Sequence, residues 1–212
     1  MKKVDKKTWD RREIYEFFKP LSDPFYVTSF PLDVTKLYQY KKAHGVSFYY
    51  ALCWLVAKAM NGLENFRYTE RDGEIFLQDE RIPSFTDIRC GSDLFYYVTP
   101  PLSHDLDTYC RKAKEISEAQ TVFLDYSLET DALIYISCLP TLAMTGQSFI
   151  HNFSDPTEVE NNIPRISWGK YEEREGRLLL TVNLEVNHRY VDGIHVSHFA
   201  ENLQTLIDGL TI

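Results

Sequence analysis

Seven consecutive residues, Asn187-His188-Arg189-Tyr190-Val191-Asp192-Gly193, place a histidine, three further residues, an aspartate and a glycine between a strand-like run and a helical one. An imidazole titrates near ~6.5, so a histidine open to a cleft at such a turn can take a proton from a hydroxyl near neutral pH. Asp192 and Gly193 support the loop that carries it. The spacing alone does not decide for chemistry: it recurs by chance, and a turn histidine is more commonly structural.

The elements that must position this loop are legible on both sides. Residues 177–186 read as a strand in which Val182, Leu184 and Val186 alternate with Thr181, Asn183 and Glu185. After the loop, Ile194, His195, Phe199, Leu203, Leu206, Ile207 and Leu210 mark a final helix, and upstream a strand over 166–172 leads through the turn at Glu175-Gly176. Residues 133–139 form a buried apolar run ended by Pro140. Nearer the start, Thr8 is placed to cap a short amphipathic helix that Pro20 stops, and 25–34 reads as a strand whose Pro31 marks an edge or a bulge. Residues 47–60 are apolar on most faces and too long for a strand, which predicts a buried helix; Asp72-Gly73 signals a hairpin and 104–120 a solvated helix. The tally is mixed α/β without the regular alternation of a doubly wound fold.

Composition narrows the function classes. With 212 residues, 44% hydrophobic and 25% charged, the chain is an ordinary globule, and disordered, collagen-like and coiled-coil readings fall away. No linker, repeat or low-complexity run divides it, so residues 1–212 are expected to form a single domain. A net charge of -8 repels a phosphate backbone, which argues against nucleic acid as a partner. Aromatics at 14% suit an apolar pocket with polar rims. The scattered Cys53, Cys90, Cys110 and Cys138 contain no CxxC pair, so free thiols and no metal site are expected. The basic start lacks an apolar stretch behind it and no window reaches the ~18 apolar residues of a membrane span, which points to the cytoplasm and to no membrane partner.

WDRREIYEFF, FPLDVT, SFYYALCWLVAKAMN and ENFR, then SCLP, WGKY and NHRYVDGIHVSHF before a closing helix, occur in the order found in the chloramphenicol acetyltransferase family. From Trp9 to Leu206 the chain resembles that family over nearly its whole length. The resemblance implies a two-layer α/β sandwich with a mixed sheet, the CoA-dependent acyltransferase fold, assembled as a homotrimer with active sites between subunits. It implies transfer of acetyl from acetyl-CoA to a hydroxyl of chloramphenicol by direct attack, without an acyl-enzyme, and without a metal.

On that resemblance His188 is the general base, Asp192 and Arg11 pair to hold its loop, and the Ser137 hydroxyl stabilises the tetrahedral oxyanion. Ser167 stands where the family has a threonine that binds the intermediate through a water. Tyr171 matches the tyrosine that stacks on the coenzyme's adenine, with Lys170 and Tyr49 near the coenzyme channel. Phe17, Phe18, Tyr26 and Phe95 fall at positions lining the acceptor pocket, and His188 is expected to face Phe17 and Tyr26 across a subunit interface. Each has a plainer alternative: a surface ion pair worth ~0–1 kcal/mol for Arg11 and Asp192, a strand serine bonded to its own backbone for Ser137, cross-strand packing for Tyr171, and core packing for the aromatics.

The sequence departs from the family at Asn187, where a second histidine is usual, at Thr141, where a tryptophan is usual, and at Ser47, where a lysine near the coenzyme is expected. His188-Arg189 before Asp192-Gly193 also resembles the DHRxxDG signature of the acyltransferase domain of 2-oxo acid dehydrogenase complexes, although no lipoyl domain or Ala/Pro-rich linker is present. Two other readings stand beside the first: an acyltransferase of this fold using a different hydroxyl or thiol acceptor, and a non-catalytic small-molecule binding protein. The presence of both His188 and Ser137 argues against the last.

Overall fold

The computed structural model describes residues 1–152, 155 and 162–212. Among them the chain runs through β1 (Lys2–Lys3), α1 (Arg12–Phe18), β2 (Phe25–Asp33), α2 (Thr35–His44), α3 (Phe48–Asn61), β3 (Tyr68–Arg71), β4 (Glu74–Leu77), β5 (Ile82–Ile88) and β6 (Phe95–Val98). It continues through α4 (Leu106–Ala119), β7 (Leu133–Cys138), β8 (Arg165–Trp168), β9 (Glu172–Arg174), β10 (Arg177–Asn187) and α5 (Gly193–Asp208). Six strands hydrogen-bond in the order β2-β10-β8-β7-β5-β6, and β9 pairs with β10 as a seventh. The β5–β7 and β7–β8 pairs are parallel and the others antiparallel, so the sheet is mixed. A small sheet, β1-β4-β3, stands apart.

One face of the large sheet carries the helices, giving the two-layer α/β arrangement that the resemblance implies. Helix α3 is central and packs against α2, α4 and α5 as well as β5. Its apolar composition explains this: Leu52, Leu55, Val56 and Met60 are all buried, each worth ~1.5–3 kcal/mol relative to exposure. Ser47 starts it, its Oγ accepting from the Tyr50 N–H at 3.4 Å. At the hairpin, Asp72 (φ 51°) and Gly73 (φ 73°) are both left-handed, the geometry a two-residue turn between twisted strands needs. Pro31 lies on β2, the edge strand, where a missing N–H is tolerated.

Two local expectations need correction, and one helix lies outside them. Helix α1 begins at Arg12, and Thr8 does not cap it; the Thr8 hydroxyl instead lies 3.3 Å from Asp5 Oδ2 in a preceding turn. The strand expected over 166–172 breaks after Trp168, because residues 139–144 fold back onto Gly169: a Cβ there would lie 2.2 Å from the Leu142 carbonyl oxygen. Helix α2 has no counterpart in the sequence reading, since only Leu37 and Tyr40 of its ten residues are buried and no apolar stripe announces it.

The alternation on β10 is real, yet both of its faces are covered. Leu180, Val182, Leu184 and Val186 enter the helical core, and Asn183, Glu185 and Asn187 are buried as well. Residues that follow β7 lie over that second face, where Met144 Sδ sits 3.8 Å from Asn183 Nδ2 and His151 Nε2 sits 2.8 Å from Glu185 Oε1.

Candidate active site

His188 follows the last residue of β10, and the turn that carries it is built by its neighbours. The buried Asn187 accepts the Arg189 N–H on its side-chain oxygen at 2.9 Å, and its carbonyl accepts the N–H groups of Tyr190 and Val191 at 3.1 and 3.0 Å. The His188 N–H is bonded to the Pro24 carbonyl at 2.8 Å. Arg11 then locks the loop from α1: Nε donates to the Arg189 carbonyl at 2.8 Å, one terminal nitrogen to the His188 carbonyl at 3.0 Å, and the fork grips Asp192 at 2.5 and 2.6 Å. With Arg11 only 6% exposed, this is a partly buried clamp and not a surface pair. The Arg11 hydrogen bonds hold the Asp192 carboxyl below the usual carboxylate range.

The imidazole is held by rings. Phe18 stacks on it at 4.2 Å between centroids and 11° between planes, and Tyr26 leans on it at 4.8 Å. Nδ1 lies 3.2 Å from Asp192 Oδ1, an ion-pair distance without hydrogen-bond alignment, and the side chain is 35% exposed. Tyr26 thus packs on the histidine of its own chain, which corrects the expectation that it faces His188 across an interface; its phenol, pushed up to about 12 by burial, stays protonated. Phe17 projects into solvent beside Phe18. The sequence pattern marks His195 only as a helix position, yet its Nδ1 accepts the Asp192 N–H at 2.9 Å, a reciprocal cap at the third residue of α5. Burial and the nearby Arg11 lower its pKa, which suits an acceptor nitrogen.

Ser137 lies elsewhere. It is the penultimate residue of β7, directly beside Ser167 in the β7–β8 register, and Ser167 is in turn opposite Asn183 on β10. Ser167 is fully buried and its Oγ has no hydrogen-bond partner. Ser137 opens into a cavity of about 1040 Å³ whose walls include Tyr49, Phe95, Tyr97, Glu129 and Arg165. Cys138 also lines it, but burial pushes that thiol up to about 12, so it is a poor rival nucleophile near neutral pH. From Asn183 to His188 is five strand residues, or ~17 Å, and Ser137 is two strands further across, or ~10 Å. The two groups therefore cannot reach the same reacting atom within one chain.

The residues assigned to the coenzyme separate too. Tyr49 is a cavity wall, its hydroxyl bonded to the Thr86 carbonyl at 2.9 Å. Lys170 is exposed, and Tyr171 packs edge-on to Tyr38 at 5.6 Å and against Phe48 at 5.7 Å. The Lys41 and Lys42 ammonium groups lie 5.4 and 4.5 Å from the Tyr38 ring centre, so the patch joins aromatic faces to positive charge. The four aromatics expected to line the acceptor pocket divide likewise: Phe17, Phe18 and Tyr26 stand at the His188 end and Phe95 in the Ser137 cavity. Sequence reasoning missed the polar wall of that cavity, Glu129, Tyr135, His151 and Arg165 with Glu185 behind them; the only signal was a polar face of β10 that reads as solvent-facing. Among the described residues no group of three or more His, Cys, Asp or Glu side chains is arranged to hold a metal ion, and no helix is long and apolar enough to cross a membrane.

A family model described as chloramphenicol acetyltransferase matches residues 1–204. Chloramphenicol acetyltransferase 3 of Escherichia coli is 29% identical over 209 residues, covering 96% of this chain and 95% of that protein. A solved chloramphenicol acetyltransferase superimposes with a TM-score of 0.87 at 25% identity, covering 96% of this chain and 98% of the other. The truncated catalytic core of a 2-oxoacid dehydrogenase multienzyme complex from Thermoplasma acidophilum shares the fold at a TM-score of 0.67 and 15% identity, covering 94% and 95%.

Proposed function

Since the chain belongs to the chloramphenicol acetyltransferase family, we propose that it is an acetyl-CoA-dependent O-acetyltransferase that acetylates a hydroxyl of chloramphenicol. The observation that carries this reading is the His188 imidazole, held between Phe18 and Tyr26 with Nδ1 3.2 Å from an Asp192 that Arg11 locks in place. His188 takes the proton of the acceptor hydroxyl as its oxygen attacks the thioester carbonyl carbon of acetyl-CoA. The Ser137 hydroxyl donates to the oxyanion, with Ser167 beside it to hold a bridging water. Collapse breaks the carbon–sulfur bond, and the leaving thiolate receives the proton from the imidazolium, so no acyl-enzyme forms. Tyr171, Lys170 and the lysines around Tyr38 offer an adenine face and phosphate charge. Tyr49 contributes shape alone, since its hydroxyl is already engaged.

The separation of His188 from Ser137 supports a site completed by a second copy, in the homotrimer the family resemblance implies: the base of one subunit meets the Ser137 cavity of its neighbour. The protein acts as one domain in the cytoplasm and confers resistance to the antibiotic. Two measurements test this. Thiol release from acetyl-CoA, followed with a colorimetric reagent, should require chloramphenicol; no release would end the proposal. Mixing His188→Ala with Ser137→Ala subunits should restore activity, because reassembled trimers contain some sites free of both defects. Activity still absent after verified exchange, or an active monomer, would overturn the shared site.

A further inference from the structure

The turn that carries His188 is gripped from a second side, by a carboxyl that no step of the reaction uses. Glu70 lies on β3 of the small sheet with its side chain only 3% exposed, and it faces the two residues that follow the base. Its Oε2 accepts the Tyr190 hydroxyl at 3.2 Å and lies 3.8 Å from Arg189 Nη1, so the guanidinium meets a counter-charge there. Burial and the Glu70 charge push the Tyr15 and Tyr190 phenols well above their ordinary value, so both stay protonated. Asn65, in the short turn leading into β3, donates its side-chain amide to the Tyr190 carbonyl at 2.9 Å. A buried ion pair gains little over apolar residues of the same volume, so stability alone is a weak reason for this one.

Arg189 passes the hold on. Its Nη2 donates to the Lys19 carbonyl at 2.5 Å and reaches the Leu21 carbonyl at 3.5 Å. These carbonyls follow α1 directly after Phe18, whose ring stacks on the His188 imidazole at 4.2 Å. Arg189 thus joins Glu70 on one side to the backbone that aims Phe18 at the base on the other. Trp9, Tyr15, Tyr68 and Tyr190 surround the joint with ring centroids 5.1 to 6.5 Å apart, and packing that close transmits a shift instead of absorbing it.

We propose that Glu70 is a positioning residue for the acetyl transfer: by holding Arg189 and Tyr190 from the small sheet, it fixes the end of α1 and with it the angle at which Phe18 presents the His188 imidazole to the acceptor hydroxyl. Glu70 itself touches neither substrate. The inference rests on the reading of His188 as the base, and it gives the small sheet a part in catalysis.

Glu70→Gln tests it in the full-length protein, since the amide keeps the volume and an acceptor for Tyr190 but removes the charge that holds Arg189. With chloramphenicol and acetyl-CoA, kcat per folded protein should fall ~10- to 100-fold, as a displaced base allows, while both KM values change by less than ~2-fold. The midpoint of the kcat/KM profile against pH should move down, because an Arg189 without its counter-charge disfavours the imidazolium. Arg189→Lys keeps a charge for Glu70 but loses the fork onto the end of α1, and it should lower kcat in the same way even if Glu70→Gln does not fold. In the double variant the losses should be less than additive, since both substitutions break one link. Proton NMR reads the geometry without turnover: the His188 ring signals, shielded by Phe18, should shift in either single variant. Unmoved ring signals, an unchanged kcat per folded protein, a loss confined to KM, or additive losses would each overturn the inference. If the ring signals shift but the parent protein releases no thiol, the link from Glu70 to His188 stands and the acetyl-transfer reading fails.

Discussion

Arg11 makes four hydrogen bonds into the His188 turn, and Asn187, His195 and Pro24 satisfy the remaining backbone there. Around the Ser137 cavity, Glu129 Oε1 and the Gln147 oxygen in its wall and Ser167 Oγ on the strand beside Ser137 are buried and unpaired. The backbone of the first region is bonded within the chain, so the loop keeps its shape without a ligand, and the unpartnered buried atoms there are His188 Nδ1 and Arg189 Nε. The second differs in being open: a cavity of about 1040 Å³ stands in front of Ser137, with room for a ligand. The difference fits two jobs of the proposed reaction, a base held rigidly and a chamber open to substrate.

The sharpest way to break this comparison is His188→Ala. With the base removed from a turn that others hold, turnover should fall ~100- to 10,000-fold while the thermal melt barely moves. Retained thiol release in a folded variant would show that the rigid end serves structure only. Ser137→Ala comes next, with turnover expected to drop ~100- to 1,000-fold at a nearly constant Michaelis constant for acetyl-CoA, since an oxyanion donor acts on the transition state. Loss of binding for both substrates, in steady-state kinetics, would point to a packing role instead.

Arg11→Met should affect stability more than chemistry, costing ~3 kcal/mol in denaturant unfolding because Asp192 is left partly buried without its partner. Arg11→Lys should recover only a minor part, as an ammonium cannot reproduce the fork. An unfolding midpoint unchanged in Arg11→Met would mean that the clamp is decorative. The smallest effect is in pH. His195 and Asp192 both have folded pKa values below their unfolded ones, so each contributes stability that is present at higher pH and lost as pH falls through the folded value. His195 acts in the window below ~6.5 and Asp192 below ~3.9. His195→Gln, which keeps an acceptor at the cap but cannot titrate, should flatten the stability profile between pH ~7 and ~5 by ~1 kcal/mol or less. A profile identical to the parent's would remove His195 from the turn's acid response.

Much of the fold is written locally. The hairpin at Asp72-Gly73, the buried helix after Ser47, the edge position of Pro31 and the strand-turn-helix around His188 all follow from short-range rules of turn geometry, capping and periodicity. Helix α2 escapes those rules because its stability comes from what it packs against, with only two of its residues buried. Strand β8 ends early for a similar reason: the obstacle, the Leu142 carbonyl, is far from Gly169 in sequence.

The sequence by itself determined the chemistry on offer, a turn histidine with an aspartate four residues on and a strand-end serine, and it carried the family resemblance in ordered segments spread along the chain. It could also mark β10 as alternating. Only the tertiary structure decided that both faces of β10 are buried, since burial depends on what covers a face, and the segment after β7 folds across it. The same long-range packing set His188 and Ser137 apart, put Tyr26 on the histidine of its own chain, and left Ser137 at an open cavity. A strand's period fixes which side chains share a face; the chain that returns over that face fixes whether they meet water, protein or a ligand.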